Sequence, residues 1–521
     1  MLDKPLIAPG RDQGRLFVLV LGVVIGLLAA GLGVPFLFGT PLNSAGPAAV
    51  RPLGGLSGLP ASGAGSSGAS GGPASALSGG STASGSAALS GRGGLGTAIG
   101  GSLAGSTTPP GGPAGGAGAV SGLTASDRGV TPTTITVAFL IVDLGSVSKL
   151  GFGVPGFDPK EQEAYDSTFV NNINAHGGIF GRKIVPLFFT YDPTNASTDE
   201  AACIQATQDH AVFAAIDSGG SLDFQSQLCF TQQNHTPLID IGSFGTPQDL
   251  YQQAGSLFTT FPEGVRSLAN MVDQLASQGL LKGKHIGILD RDFPGTTKTV
   301  TDGFVAVLKQ YGYQVTYRAD ISMDNGTASS QVPVAVQQMQ AHGVDAVMYF
   351  ADLIIGTEFV QSADKSAYHP EYFGSDFEAM TNDTSVQAMP ASFQAVAVTT
   401  TRVGEWRVGI AEPAVDASCR ETYAKATGND PKRSDLAYGG VLVACGLVDL
   451  LARGTQGAGA DLTRAKYVAS LQQIGSVAFP YFGGFSFRPG KFGGGDPVRT
   501  VVYHQSCTCW MPIGSFAGPK Y

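Results

Sequence analysis

The sequence predicts an α/β protein made of two Rossmann-like lobes with parallel sheets, preceded by one transmembrane helix and a disordered linker. Three observations carry this. From residue 134 to 376, β-rich apolar runs alternate with helical patterns, and the alternation restarts after Phe261. Upstream, residues 16–39 form an apolar run of 24 residues without a charge. Between the two, residues 40–126 hold no aromatic and no acidic side chain.

Residues 16–39, LFVLVLGVVIGLLAAGLGVPFLFG, are long enough to span the roughly 30 Å hydrocarbon core at about 1.5 Å per residue. Arg11, Arg15 and Lys4 precede them, so residues 1–15 are expected in the cytoplasm and everything after Gly39 outside, in a single-pass cell-membrane protein. A cleaved signal peptide is the rival reading, but the apolar run exceeds a usual signal core. No cysteine precedes Cys203, so there is no thiol for lipid anchoring near the N-terminus.

Residues 40–126 hold 25 of the chain's 74 glycines, with Ala, Ser and Pro for most of the rest. Such a chain cannot bury enough surface to offset the entropy of ordering, and it reads as a tether. Residues 1–126 carry a net +3 (Lys4, Arg11, Arg15, Arg51 and Arg92 against Asp3 and Asp12). The −9 of the 521-residue chain therefore leaves −12 on residues 127–521. An acidic domain without a basic run excludes nucleic acid as a partner, because phosphate contacts need clustered Lys and Arg.

The elements follow in order. ITVAFLIVD (135–143) is a strand. Residues 158–178 form a helix with Ala164, Phe169, Val170 and Ile173 on one face, opened by Asp-Pro and closed by Gly-Gly. Residues 182–192, 211–216 and 236–242 read as strands, with helices at 199–210 and 222–233. The second series has helices at 263–279, 296–311, 332–343 and 354–366 and strands at 285–290, 313–321, 345–350 and 371–376. Ligands of open α/β sheets sit beyond the carboxyl ends of the strands, so two facing lobes predict a cleft.

Asn171–Tyr191 reads NNINAHGGIFGRKIVPLFFTY, TPLIDIGSFGTPQDL covers 236–250, and YFGGFSFRPGKFGGGDPVRTVVYHQ covers 481–505. Together, in this order, they resemble the type I periplasmic-binding proteins, in particular the leucine/isoleucine/valine-binding branch, over about residues 128–515. The first segment is similar to the family's N-x-x-GGI-x-GRK-I stretch; the last resembles its closing hairpin. Gly177, Gly178 and Gly181 have a structural role whatever the family, since they permit the positive φ of a helix end and the turn after it. The resemblance implies a three-strand hinge, with lobe 1 at about 128–262 and 403–478 and lobe 2 at about 263–402 and 479–521.

Six cysteines stand at 203, 229, 419, 445, 507 and 509. The lobe assignment implied by the resemblance pairs Cys203 with Cys229 and Cys419 with Cys445, leaving Cys507 and Cys509 as a short ring or free thiols.

The resemblance also implies where a ligand sits. Ser221, read as opening the helix after the third strand, is similar to the serine that holds a ligand carboxylate. Gly245 and Thr246 resemble the loop that contacts an amino-acid head group. Phe293 stands where the family often has an aromatic, Asp352 follows a strand, and Asp376 resembles the residue that pairs with a ligand ammonium, with Glu378 beside it. The long Gly-rich loop after the first strand departs from the family pattern.

No HExxH, phosphate-binding loop or nucleophile elbow occurs in residues 127–521, and the seven histidines are scattered. No catalysis, cofactor or metal is expected. The expected function is membrane-anchored capture of a small polar ligand, an amino acid or amide, for an ABC permease. A sensor acting through a membrane partner, or a scaffold without ligand, is the alternative.

Overall fold

The computed structural model describes residues 122–149, 158–242, 246, 248–292, 295–375, 381–383 and 385–521. The apolar run 16–39, the tether up to residue 121, and Gly245, Phe293, Asp376 and Glu378 lie outside the described residues.

The first lobe alternates strands and helices: β1 (Thr134–Val142), α1 (Pro159–Ala175), β2 (Lys183–Tyr191), α2 (Ala196–Ile204), β3 (Ala214–Asp217), α3 (Phe224–Leu228), β4 (Leu238–Asp240), α4 (Gln248–Ala254) and β5 (Leu257–Thr259). The sheet is parallel, in the order β2-β1-β3-β4-β5. Residues Val137–Ile141 of β1 are fully buried, as an apolar strand covered on both faces must be.

Helix α1 shows how local sequence sets an element. Asp158 accepts from the Glu161 backbone N–H and Glu161 reaches back to Asp158, a capping box, with Pro159 in the first turn. Past its C-terminus, the Gly178 N–H donates to the Ile173 carbonyl (3.0 Å). Gly178 has φ +74°, and a Cβ there would meet the Arg182 carbonyl oxygen at 2.0 Å. Arg182 of the same turn is fully buried and donates to the carbonyls of Thr124, Thr131 and Ala460. It pins the start of the described chain to the lower pole of lobe 1.

The second lobe holds α5 (Gly264–Ser277), β6 (Ile286–Arg291), α6 (Thr296–Val300), α7 (Ala306–Gln310), β7 (Val315–Ile321), α8 (Asn325–Ala341), β8 (Ala346–Phe350), α9 (Leu353–Lys365), β9 (Glu371–Ser375) and β10 (Ala395–Thr399). A wider helical turn, Thr301–Val305, joins α6 to α7. The chain then returns to lobe 1 through α10 (Ala414–Thr427), α11 (Leu436–Ala458), α12 (Arg464–Leu471), β11 (Gly475–Val477) and β12 (Phe485–Phe487), and ends in lobe 2 with β13 (Val498–His504) and β14 (Cys509–Ala517).

The second sheet runs β14-β13-β10-β9-β8-β6-β7. Its β6 to β10 are parallel, but β13 lies antiparallel to β10 and β14 antiparallel to β13. The parallel array β6 to β10 is the one expected, and the closing hairpin adds β13 and β14 antiparallel at its edge, since strands joined by a tight hairpin must run antiparallel to each other. Helices cover both faces, with α8 and α9 over one and α5 to α7 over the other.

Two differences have clear causes, and one further helix is notable for its composition. Helix α8 starts seven residues before the expected Val332, because Asp324 caps the polar run that follows through its bond from the Thr327 N–H (2.8 Å). Phe479, Phe482, Phe485, Phe487 and Phe492 pack into the first core, so the return of the chain to lobe 1 continues past residue 478. Helix α11 is, among the described residues, the one long and apolar enough to cross a membrane, yet Val441, Leu442, Leu447, Leu450 and Leu451 are fully buried in lobe 1. Its Gly446 lies where a Cβ would meet the Phe479 ring at 2.4 Å, so small residues let its neighbours close in.

The structure joins Cys203 to Cys229, Cys419 to Cys445 and Cys507 to Cys509. The first bond ties the α2 region to the end of α3, and the second ties α10 to α11. Each closes a loop with sequence separation 26, worth about 3.5 kcal/mol by loop-closure entropy.

Candidate functional site

The chain crosses between the lobes three times, after β5, after β10 and before β13, and the crossings bond to one another and to the return segment. The Thr259 N–H donates to the Phe492 carbonyl (2.9 Å), and the Gly494 and Gly495 N–H groups donate to the Thr259 and Thr260 carbonyls (both 2.8 Å). The Gly483 N–H donates to the Thr400 carbonyl (2.8 Å), and the Arg402 N–H to the Tyr481 carbonyl (2.9 Å). Glu263, 1% exposed, accepts from the Phe492 N–H (2.8 Å) and from Arg266 (2.6 Å). Burial pushes its carboxyl up, but Arg266 and backbone N–H groups outweigh this and hold it below the usual range. Glu405 forms a second anchor, 3.0 Å from Arg499 of lobe 2 and 3.8 Å from Arg433 of lobe 1. Because β5 and β10 enter the hinge at their carboxyl ends, the carboxyl ends of both parallel arrays face one another across it. The cleft lies there.

The floor contributed by lobe 1 uses one device three times. Asp143, Asp217 and Asp240 end or follow β1, β3 and β4, and each accepts the N–H of a glycine two residues on: Gly145 (2.8 Å), Gly219 (2.9 Å) and Gly242 (2.9 Å). These are Asx-turns, in which a short carboxylate replaces the next backbone acceptor.

Asp217 is fully buried, and Tyr191 donates its hydroxyl to it (3.0 Å) while accepting the Ser221 N–H (3.0 Å). Burial pushes Asp217 up to about 6, against the bonds from Tyr191, Gly220, Gly219 and Leu222. Asp240 accepts from Gln227 Nε2 (2.9 Å), and Gln227 Oε1 accepts from the Thr246 hydroxyl (3.0 Å).

Behind this floor, Asp166 of α1 is fully buried and neither carboxyl oxygen has a hydrogen-bond partner. Ser218 stands alongside, outside bonding geometry. Burial raises Asp166 to about 7, with Asp217 adding to the shift and Ser218 opposing it. The two residues line a cavity of about 30 Å³ with Gln162, Ile241 and Val443, room for about one water. Asp199 is likewise raised to about 7, first by burial, and accepts the Asp223 N–H (3.1 Å).

Lobe 2 builds its floor from ion pairs. Arg291 at the end of β6 donates to the Met323 carbonyl (2.7 Å) and pairs with Asp352 (2.7 Å). Asp290 pairs with Arg318 of β7 (2.5 Å).

The expected contacts are placed as follows. Ser221 sits half-buried on the lobe 1 floor but does not open α3; Asp223 caps that helix through the Ser226 N–H (2.7 Å). The reason is competition: Asp217 and Tyr191 already hold residues 219–222 as a turn. Thr246 is 1% exposed and its hydroxyl is spent on Gln227. Asp352 lies at the lobe 2 floor, where it caps α9 through Ile354 (2.9 Å) and Ile355 (3.0 Å) and balances Arg291. Sequence reading missed Asp217, Asp240, Tyr191 and Arg291. A signal was present for two of them, since AAID-S-G and LID-I-G both end an apolar run on Asp-x-Gly.

A groove of about 530 Å³ lies elsewhere, between α11, α12 and β11, at the pole of lobe 1 away from the cleft. Among the described residues no group of three His, Cys, Asp or Glu is placed to hold a metal ion.

Comparison with known proteins adds three findings. A family model described as periplasmic binding protein matches residues 168–500. No curated protein matches the chain. Solved structures share the fold. The fatty acid ABC transporter substrate-binding protein from Thermomonospora curvata is 16% identical, with TM-score 0.57 over 77% of this chain and 96% of that one. A branched chain amino acid ABC transporter protein from Thermus thermophilus with bound valine is 10% identical, with TM-score 0.56 over 74% and 98%. A solute binding protein of an ABC transporter from Rhodopseudomonas palustris BisB5 in complex with 3,4-dihydroxy benzoic acid is 14% identical, with TM-score 0.55 over 74% and 98%.

Proposed function

The chain belongs to the periplasmic binding protein family, and on that premise we propose that it is a membrane-anchored, extracytoplasmic solute-binding protein that captures a small polar ligand for an ABC importer. Proteins of this family bind ligands and catalyse no reaction. The observation that carries the reading is the hinge: three bonded crossings hold two α/β lobes with their carboxyl ends facing, so closure puts one ligand in contact with both.

The floor of lobe 1 suits the anionic or polar end of such a ligand. Its carboxyls are turned into their own backbone turns and the Ser218 hydroxyl is buried beside Asp166, which leaves the half-buried Ser221 hydroxyl to meet a guest. That hydroxyl makes no hydrogen bond within the described structure. An amino acid or an amide fits this reading. The three solved neighbours are named for a fatty acid, valine and a dihydroxybenzoic acid, which share a carboxylate. Asp376 or Glu378 would then meet a ligand ammonium, with Gly245 and Phe293 around the head group; Thr246, buried and bonded to Gln227, would only support its loop. Residues 16–39 would anchor the protein in the cell membrane, and the tether would carry the domain away from it. The importer's permease is the proposed partner.

A thermal-shift screen of amino acids, amides and small organic acids on the full chain tests the ligand class. Stabilisation grows as the logarithm of ligand over Kd, reaching about 2.7 kcal/mol at a hundredfold excess. A hit confirmed by calorimetry as one ligand per chain supports the reading; no stabilisation across the panel at millimolar concentration removes amino acids and amides.

A further inference from the structure

We infer that Cys507–Thr508–Cys509 is a thiol–disulfide exchange site whose reductant is a dithiol. The bond closes a ring with sequence separation 2, at the tip of the β13–β14 hairpin. So short a ring removes less than half the entropy from an unfolded chain that the separations of 26 in the other two bonds do. Nor does the hairpin need it. The ladder already pairs His504 with Cys509 and Tyr503 with Trp510, and the last two rings meet edge to face with centroids 6.0 Å apart.

The two sulfurs differ in access. Cys507 is exposed, with His504, Gln505 and Ser506 exposed beside it, whereas Cys509 is 1% exposed. Thr508 between them has φ +49°, a left-handed conformation that a β-branched residue rarely adopts. Opening the ring frees that residue to relax. By contrast, Cys203 and Cys229 are both buried, and in the other pair Cys419 is 4% exposed and Cys445 half-buried, so neither bond presents an exposed sulfur. Exposed bonds are the labile ones in exchange chemistry.

In the exchange, a thiolate of the dithiol attacks Cys507 Sγ, the Cys507–Cys509 bond breaks, and Cys509 leaves as thiolate. The second thiol of the reductant then attacks the mixed disulfide and releases Cys507. The dithiol ends as a disulfide, and two electrons have passed to the pair. Since β13 runs antiparallel to β10, this tip lies at the pole of lobe 2 away from the cleft. The exchange therefore proceeds without disturbing the lobes' facing ends.

The test is graded reduction of the oxidised full chain in dithiothreitol buffers, followed by alkylation and peptide mass spectrometry. We expect Cys507 and Cys509 to become half-reduced at a reduced-to-oxidised ratio at least about tenfold below that of the other two pairs, with the circular dichroism unchanged. Reduction together with or after the others, loss of fold as this bond opens, or both thiols free before any reductant is added would each overturn the site. Two variants separate exchange from structure. Cys509→Ser should take oxidised glutathione onto Cys507, and Cys507→Ser should leave Cys509 unmodified in the same time; equal labelling overturns the directed attack. The double variant Cys507→Ser/Cys509→Ser should keep its melting temperature within about 2 °C; unfolding would make the ring structural and overturn the proposal.

Discussion

At the cleft the two lobes end their strands in different ways. Lobe 1 ends them on carboxyls held by backbone N–H groups, as at Asp217 and Asp240. Lobe 2 ends them on arginine–carboxylate pairs, Arg318 with Asp290 and Arg291 with Asp352. The difference follows from what each floor must do. A loop folded over a buried carboxyl spends its backbone donors on that carboxyl, and burial raises Asp217 to about 6. An ion pair holds its shape only while both partners are charged. Lobe 1 should therefore respond to pH through Asp217, and lobe 2 through Asp290, which burial raises to about 8 against its bonds to Arg318; lobe 2 should respond as well to loss of a single partner.

The largest expected effect is in lobe 2. Arg318→Met leaves Asp290, 1% exposed, without its counter-ion. Removing one partner of a buried pair costs about 3–5 kcal/mol while the other stays charged, which for Asp290, raised by burial to about 8, requires a higher pH. Urea unfolding at about pH 9 should show that loss; a change under 1 kcal/mol there would show that the pair is not what holds the floor of lobe 2.

The second effect belongs to lobe 1 and is a pH dependence. Asp166 and Asp199 are raised to about 7 and Asp217 to about 6. All lie above the roughly 3.9 of an unfolded aspartate, so the folded state holds more protons than the unfolded one between about pH 4 and 7. Stability from these groups is present below about pH 4 and is lost as pH rises through 6 to 7. Asp166→Asn removes one of them without changing shape. At pH 8 the variant should be more stable than the parent by about 2–4 kcal/mol, and the gain should vanish by pH 4. A gain independent of pH would contradict the assignment.

Smaller still is Tyr191→Phe. It removes a donor from Asp217 and an acceptor from the Ser221 N–H, at a cost of about 1–3 kcal/mol. Denaturant titration should find the loss grows above pH 6, where Asp217 must ionise; a loss constant from pH 4 to 8 would contradict the link. Least of all, Ser221→Ala should change stability by under about 0.5 kcal/mol, whereas Thr246→Val should cost about 1 kcal/mol by breaking the chain to Gln227 and Asp240. Equal effects in a thermal melt would erase the distinction between a presented hydroxyl and a spent one.

The elements that sequence reading placed well share a physical cause. β1, β3 and β8 are buried on both faces, so they appear as short unbroken apolar runs between turn residues. Helix α1 carries its own start and stop signals. What stayed hidden lacks an apolar pattern or depends on partners distant in sequence. The opening of α8 is polar and lacks periodicity, so only the Asp324 cap reveals it. Strand β14 contains Pro512 and Gly514, which argue against a strand until it is placed at a sheet edge, where a missing donor is tolerated.

The site followed the same rule. Ser221 and Asp352 were legible as polar groups at strand ends, but not their engagements. Ser221 and Asp223 are equally good caps in isolation, and Tyr191, thirty positions upstream of Ser221, decides between them.

In the proposed function two hinged lobes close on one small guest, and topology points to where closure is greatest. Both β2 and β7 are sheet edges on the far side from the hinge, and their carboxyl ends form the lips of the cleft. Spin probes carried by unnatural residues at the exposed positions Glu200 and Met323 leave the disulfides intact. With a ligand from the thermal-shift screen at saturation, double electron–electron resonance on the full chain should show the distance between these probes shorten and its distribution narrow. A distance that stays the same while calorimetry shows the ligand fully bound would contradict closure.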